Sequence, residues 1–105
     1  MDTSLNGKTA LITGGSLGLG LAMAKSFYSE GAKVAIIARR QEPIDEAVED
    51  ILKLSGDGSI LGLSCDVTDA DSVSSMHSQI TNELGDIDIL VNNAGQAAGK
   101  PFHLI

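Results

Sequence analysis

Four short apolar runs, separated by stretches with helical spacing, constrain this chain more than any other feature. The runs are Thr9–Thr13, Val34–Ala38, Ile60–Ser64 and Ile87–Val91. Each is too short for a buried helix, and the second is a continuous apolar stretch of the kind that strands covered on both faces require. Between the runs, apolar residues recur at helical intervals. Leu19, Met23 and Phe27 precede Gly31; Ile44, Val48 and Ile51 follow Pro43; Val73, Met76, Ile80 and Leu84 precede Gly85. Proline suits the first turn of a helix and glycine its left-handed stop. Thr68 or Asp69 can cap the third helix.

Each strand–helix–strand step takes roughly 30 residues, so consecutive strands pair in parallel through right-handed crossovers. The fold expected is α/β, a partial doubly wound (Rossmann) sheet in the order β-α-β-α-β-α-β. Its parallel strands run 3-2-1-4 within a single domain over residues 1–105, without the later strands of a complete doubly wound sheet.

Composition narrows the class. The chain has 105 residues, enough for one core, and a net charge of −7. That charge argues against a nucleic-acid or membrane-surface binder, both of which need clustered cations. Cys65 is the single cysteine, which excludes an internal disulfide and favours a reducing, cytoplasmic setting. There is no apolar run long enough to span a bilayer and no secretory leader pattern. One cysteine and two unclustered histidines leave no metal site in prospect.

The stretch from Thr13 to Gly20 lies where the first strand turns into the first helix, with glycines at 14, 18 and 20. A pyrophosphate at such a turn meets free backbone N–H groups and the positive end of the helix dipole, and glycine lets the backbone come close to it. The spacing differs from the common G-x-G-x-x-G fingerprint. At the end of the second strand, dinucleotide folds that take NAD place a carboxylate for the ribose hydroxyl. An arginine there suits the 2′-phosphate of NADP instead. This chain has Ala38-Arg39-Arg40, and the nearest carboxylate, Glu42, falls in the following loop.

With these residues in view, the chain resembles the short-chain dehydrogenase/reductase family. Thr13, Gly14, Gly18 and Gly20 match its T-G-x-x-x-G-x-G loop, Asp66-Val67 its D-V pair, and Asn92-Asn93-Ala94-Gly95 its N-N-A-G signature. The resemblance implies that Ser16 and Leu17 donate to the phosphates and that Leu19 packs like the commoner isoleucine. It implies further that Asp66 contacts the adenine amino group. Asn93, Ala94 and Gly95 would lie along the adenosine ribose, with the asparagine steadying the sheet. Arg39 is the first and Arg40 the second candidate for the 2′-phosphate, so NADP(H) is favoured over NAD(H). Ser16 stands where many NADP-preferring members carry Lys or Arg.

Members of the family move hydride between nicotinamide and a small carbonyl or alcohol substrate, using a Tyr-x-x-x-Lys pair, a serine and an asparagine. A phenol needs a neighbouring cation to act near neutral pH. Here the only tyrosine is Tyr28, followed four residues later by Ala32, and no asparagine follows Asn93. No catalytic residue is therefore named, and the chain alone is expected to be inactive. It is expected, too, to be marginally stable or to self-associate through its fourth strand. The alternatives are a non-catalytic module that binds a dinucleotide or a partner, or an inactive truncated product. Gly7-Lys8-Thr9 and the segment Gly95–Pro101 only superficially resemble phosphate-binding P-loops, because neither has the required spacing and following residues.

Overall fold

A computed structural model describes residues 5–56 and 58–93. Its elements follow the expected order: β1 (Thr9–Thr13), α1 (Gly18–Ser29), β2 (Lys33–Ala38), α2 (Gln41–Leu52), β3 (Ser59–Ser64), α3 (Ala70–Glu83) and β4 (Ile89–Asn92). The strands form one parallel sheet in the order β3-β2-β1-β4.

The continuous apolar runs resolve into two alternating faces. Ile12, Val34, Ile36 and Val91 join Ala24, Tyr28, Ile44, Ala47 and Ile51 in the core that α1 and α2 cover. Leu11, Ala35 and Ile37 join Met76, Ile80 and Leu84 in the core that α3 covers. Successive strand residues point to opposite faces, so both parities must be apolar when helices cover both sides. Each fully buried Ile or Val contributes about 1.5–3 kcal/mol of transfer free energy. The outer strand β3 is only half-buried, as are Ile89 and Leu90 of β4.

Three expectations are corrected. The apolar face of α1 is not the Leu19–Met23–Phe27 row. Gly20, Ala24 and Tyr28 are the buried positions, Met23 and Phe27 are half-buried at the flank, and Leu19 is 54% exposed. The small Gly20 and Ala24 let the first turns of the helix settle close to the sheet, which leaves Leu19 outside. Second, β4 begins at Ile89 rather than Ile87. The Asp88 N–H donates to the Thr9 carbonyl at 2.8 Å, and the Asp88 carboxylate accepts the Thr9 N–H at 2.9 Å. A side-chain oxygen thus takes the place of a ladder carbonyl, and regular pairing starts only at Ile89, opposite Ala10. Third, Glu42 lies in the first turn of α2 and not in a loop. Arg40 is the extended N-cap, so the helix starts at Gln41 with Pro43 in its first turn, where a missing N–H costs nothing.

Gly31 and Gly85 do end α1 and α3, with φ of +91° and +101°. Asp69 caps α3, its carboxylate accepting the N–H of Asp71 at 3.1 Å. Thr68, the other capping candidate, is used elsewhere.

Candidate nucleotide-binding site

Parallel strands bring all their C-terminal ends to one edge of the sheet, and most of the singled-out residues meet there. Thr13 and Gly14 follow β1, Ala38 and Arg39 end β2, Cys65 and Asp66 follow β3, and Asn92 and Asn93 end β4. Between the ends of β1, β2 and β3 lies a cavity of about 320 Å³. Thr13, Gly14, Ile37, Ala38, Arg39, Cys65, Asp66, Val67 and Thr68 line it. Its walls are largely apolar, with one cation and one carboxylate at the rim, which suits a flat heteroaromatic ring carrying polar edges.

The glycine turn is held from two directions. The Gly14 N–H donates to the Ile37 carbonyl at 2.8 Å. From the β4 side, the Asn93 side-chain amide donates to the Gly14 carbonyl at 3.4 Å. Gly20 sits beneath this clamp: a methyl group there would run into the Gly14 carbonyl and lie 2.8 Å from Asn93 Nδ2. Gly18 is required for another reason, its left-handed φ of +57°. Gly15, which the sequence reading did not single out, admits no side chain either, because a Cβ would lie 2.6 Å from Ile36 Cγ2. Its signal was the doubled glycine at 14 and 15.

Leu17 is the N-cap of α1 and has no side-chain cap bond; its own side chain is 68% exposed. The first N–H groups of the helix are therefore left for a ligand at this end. Ser16 is buried beside the turn.

Asp66 is shaped by its neighbours. Its Oδ1 accepts both the Thr68 hydroxyl (2.7 Å) and the Thr68 N–H (3.0 Å), while its own N–H donates to Ser72 Oγ at 3.0 Å. The Thr68 hydroxyl above all, then the Thr68 N–H, hold its carboxyl below the usual aspartate range; Arg39 contributes least, and partial desolvation opposes them. Asp66 is thus an anionic acceptor at neutral pH, with Oδ1 already engaged. Thr68, expected from the sequence only as a helix cap, and Ser72 were not identified as site residues, since hydroxyl residues near a helix start are common and their roles follow from the turn's geometry.

Arg39 reaches the cavity rim and forms no ion pair among the described residues, whereas Arg40 lies 4.0 Å from Glu42 in a largely exposed pair. Such a pair holds its partners weakly. Val67 is half exposed on the cavity wall. The buried Oδ1 of Asn93 has no hydrogen-bond partner among the described residues. Ala94 and Gly95 lie outside the described residues, as do the Gly95–Pro101 segment and His103. Among the described residues there is no cluster of metal-ligating side chains, and no helix is long and apolar enough to cross a membrane.

Comparison with known proteins agrees with this geometry. A family model described as short chain dehydrogenase matches residues 8–105. An oxidoreductase of Bacillus subtilis, YvrD, is 44% identical over 102 residues, which are 97% of this chain and 37% of that protein. The crystal structure of L-sorbose reductase from Gluconobacter frateurii, complexed with NADPH and L-sorbose, is 37% identical. It superposes with a TM-score of 0.82 over 90% of this chain and 36% of its own. An NAD+-bound xylitol dehydrogenase is 27% identical with a TM-score of 0.77, over 84% of this chain and 33% of its own. This chain belongs to the short-chain dehydrogenase family, a family of oxidoreductases that bind NAD(P). It spans between a third and two fifths of the length of these relatives.

Proposed function

We propose that the chain is the NADP(H)-binding portion of a short-chain oxidoreductase that moves hydride between the nicotinamide and a small carbonyl or alcohol substrate. The observation that carries the cofactor assignment is Arg39 at the end of β2, on the rim of the cavity and without an ion-pair partner among the described residues. No carboxylate occupies the strand end, and Glu42 is drawn into α2 beside Arg40. The structural relatives include both an NADPH complex and an NAD+ complex, so family membership leaves the choice to these local residues.

The residues present fit the adenosine half of such a cofactor. The Gly14–Gly20 turn, kept in shape by the clearance at Gly20 beneath the Gly14 carbonyl, leaves the first N–H groups of α1 for the phosphates. Ile37, Ala38 and Val67 give the cavity apolar walls for the adenine, and Oδ2 of Asp66, without a hydrogen-bond partner among the described residues, is an acceptor for its amino group. Arg39, with Arg40 second, would hold the 2′-phosphate through a planar donor fork. Asn93, with Ala94 and Gly95, would lie along the ribose. When bound, the nicotinamide supplies the hydride donor or acceptor. For the 105-residue chain itself the proposal is one nucleotide-binding domain that binds without turnover, since its one tyrosine, Tyr28, is packed into the core from α1. A cytoplasmic setting belongs to the same proposal, on the free buried thiol of Cys65.

The test is substitution of Arg39 by alanine. Losing a charge-assisted bond worth about 1.5–3 kcal/mol is expected to weaken NADPH binding roughly ten- to hundredfold and to leave NADH nearly unchanged. Equal losses for both cofactors reject the assignment.

A further inference from the structure

β2 and β3 run in register to their ends, with Ala38 opposite Ser64. The first of the next two contacts closes that ladder, and the second departs from it. The Cys65 N–H donates to the Ala38 carbonyl at 2.8 Å, and the Ser64 hydroxyl donates to the Arg39 carbonyl at 2.9 Å. Two successive carbonyls at the end of β2 are thus held by two successive residues at the end of β3. Beyond Ala38 the chain has left the sheet: Arg39 lies in a bend and Arg40 is the extended N-cap of α2, with φ −109° and ψ 133°. No backbone ladder bond can reach the Arg39 carbonyl there, so a side chain from the neighbouring strand does.

We infer that Ser64 is a specificity-positioning residue, which holds the Arg39 backbone so that the guanidinium projects over the cavity where a 2′-phosphate would lie. The inference rests on the NADP(H) reading given above. Arginine loses several rotatable bonds' worth of freedom when it grips a phosphate, and an anchored backbone lowers the ordering cost of binding. Arg40, the N-cap of α2, has a weak, exposed pair with Glu42 in place of such an anchor. Nor does Ser64 serve the adenine side, because Asp66 is anchored separately by Thr68 and Ser72. Its effect is therefore confined to the phosphate that distinguishes the two cofactors.

The experiment titrates NADPH and NADH into wild type, Ser64→Ala, Ser64→Thr, Arg39→Ala and the Arg39→Ala/Ser64→Ala double variant. One neutral hydrogen bond corresponds to about a two- to tenfold change in affinity, and that loss is expected for NADPH with Ser64→Ala. NADH binding is expected to stay unchanged, and Ser64→Thr, which keeps the hydroxyl, to restore NADPH affinity. In the Arg39→Ala background, Ser64→Ala is expected to add no further loss, because the two residues act on one contact. Equal losses for both cofactors, or the same loss with and without Arg39, overturn the inference as a structural effect. A wild type that prefers NADPH while Ser64→Ala matches it overturns the Ser64 role alone. A wild type that does not prefer NADPH, or binds neither cofactor, overturns the NADP(H) reading and the Ser64 role with it.

Discussion

The hydroxyl of Thr13 accepts the backbone N–H of Asn93 at 2.8 Å across eighty residues of sequence, and donates in turn to Asn92 Oδ1 at 3.0 Å. One buried side chain at the end of β1 thereby fixes the end of β4, and Asn93 returns the contact by donating to the Gly14 carbonyl. Replacing Thr13 by valine keeps the shape and removes both bonds, stranding polar groups in a largely buried place. The expected cost is about 1–3 kcal/mol, read as a lower midpoint in urea unfolding, while Thr13→Ser retains most of the stability.

Gly18 and Gly20 are both glycines of the turn, yet they are expected to respond differently. Gly18→Ala meets open space but must hold a left-handed backbone, which costs about 1–2 kcal/mol. Gly20→Ala places its methyl group against backbone that has nowhere to move, and is expected to cost about 3 kcal/mol or more. Urea unfolding with NADPH titration checks the order: Gly18→Ala still binds and Gly20→Ala does not. Comparable behaviour of the two variants contradicts the clamp described between Gly14 and Asn93.

Asp66 provides a pH signature. Its folded carboxyl is held below the usual aspartate range, chiefly by the Thr68 hydroxyl. A depressed folded value means that the stabilisation is fully present above the unfolded value, near ~3.9, and is lost as pH falls through the folded one. Thr68→Val is expected to move the Asp66 titration upward toward the ordinary range, followed by NMR of its carboxyl carbon. NADP+ and NAD+ binding should weaken together over the same acid window, since both carry adenine. Asp66→Ala is likewise expected to weaken both, in contrast to Arg39→Ala.

Among the described strands, β4 is paired on one side only, with β1. Beside it an apolar groove of about 350 Å³ runs between the sheet and α3, lined in part by Leu11, Val73, Met76, Ile87 and Leu90. Open ladder groups next to apolar surface promote association between copies. Sedimentation velocity at rising concentration is expected to show larger species for the 105-residue chain, and Leu90→Lys to reduce them. Concentration-independent monomer for the unsubstituted chain contradicts this.

Much of the architecture was written in local pattern. Short apolar runs alternating with helical spacing define the element order, because a sheet covered on both faces demands apolar residues at both parities. Gly31 and Gly85 mark helix ends for a reason that acts within one residue, the left-handed backbone. The glycine turn and Arg39 were legible from the residues, Asp66 and Asn93 through the family resemblance, and all of them meet because parallel strands deliver their C-terminal ends to a common edge.

The rest depended on distances between segments far apart in the chain. Spacing alone could not show that α1 turns Leu19 outward, because the helix presents whichever face lets its backbone approach the sheet most closely. Nor could it show that Asp88 replaces a ladder partner of Thr9, that Thr68 rather than a distant cation governs the acidity of Asp66, or that Ser64 reaches the carbonyl of Arg39. Local propensity and periodicity are properties of neighbours in sequence and thus determined which elements form and where they stop. Hydrogen bonds between strand ends, and the clearance left for Gly20 beneath Gly14, are set by how the elements pack. The tertiary structure alone therefore decided which side chains hold the site in shape.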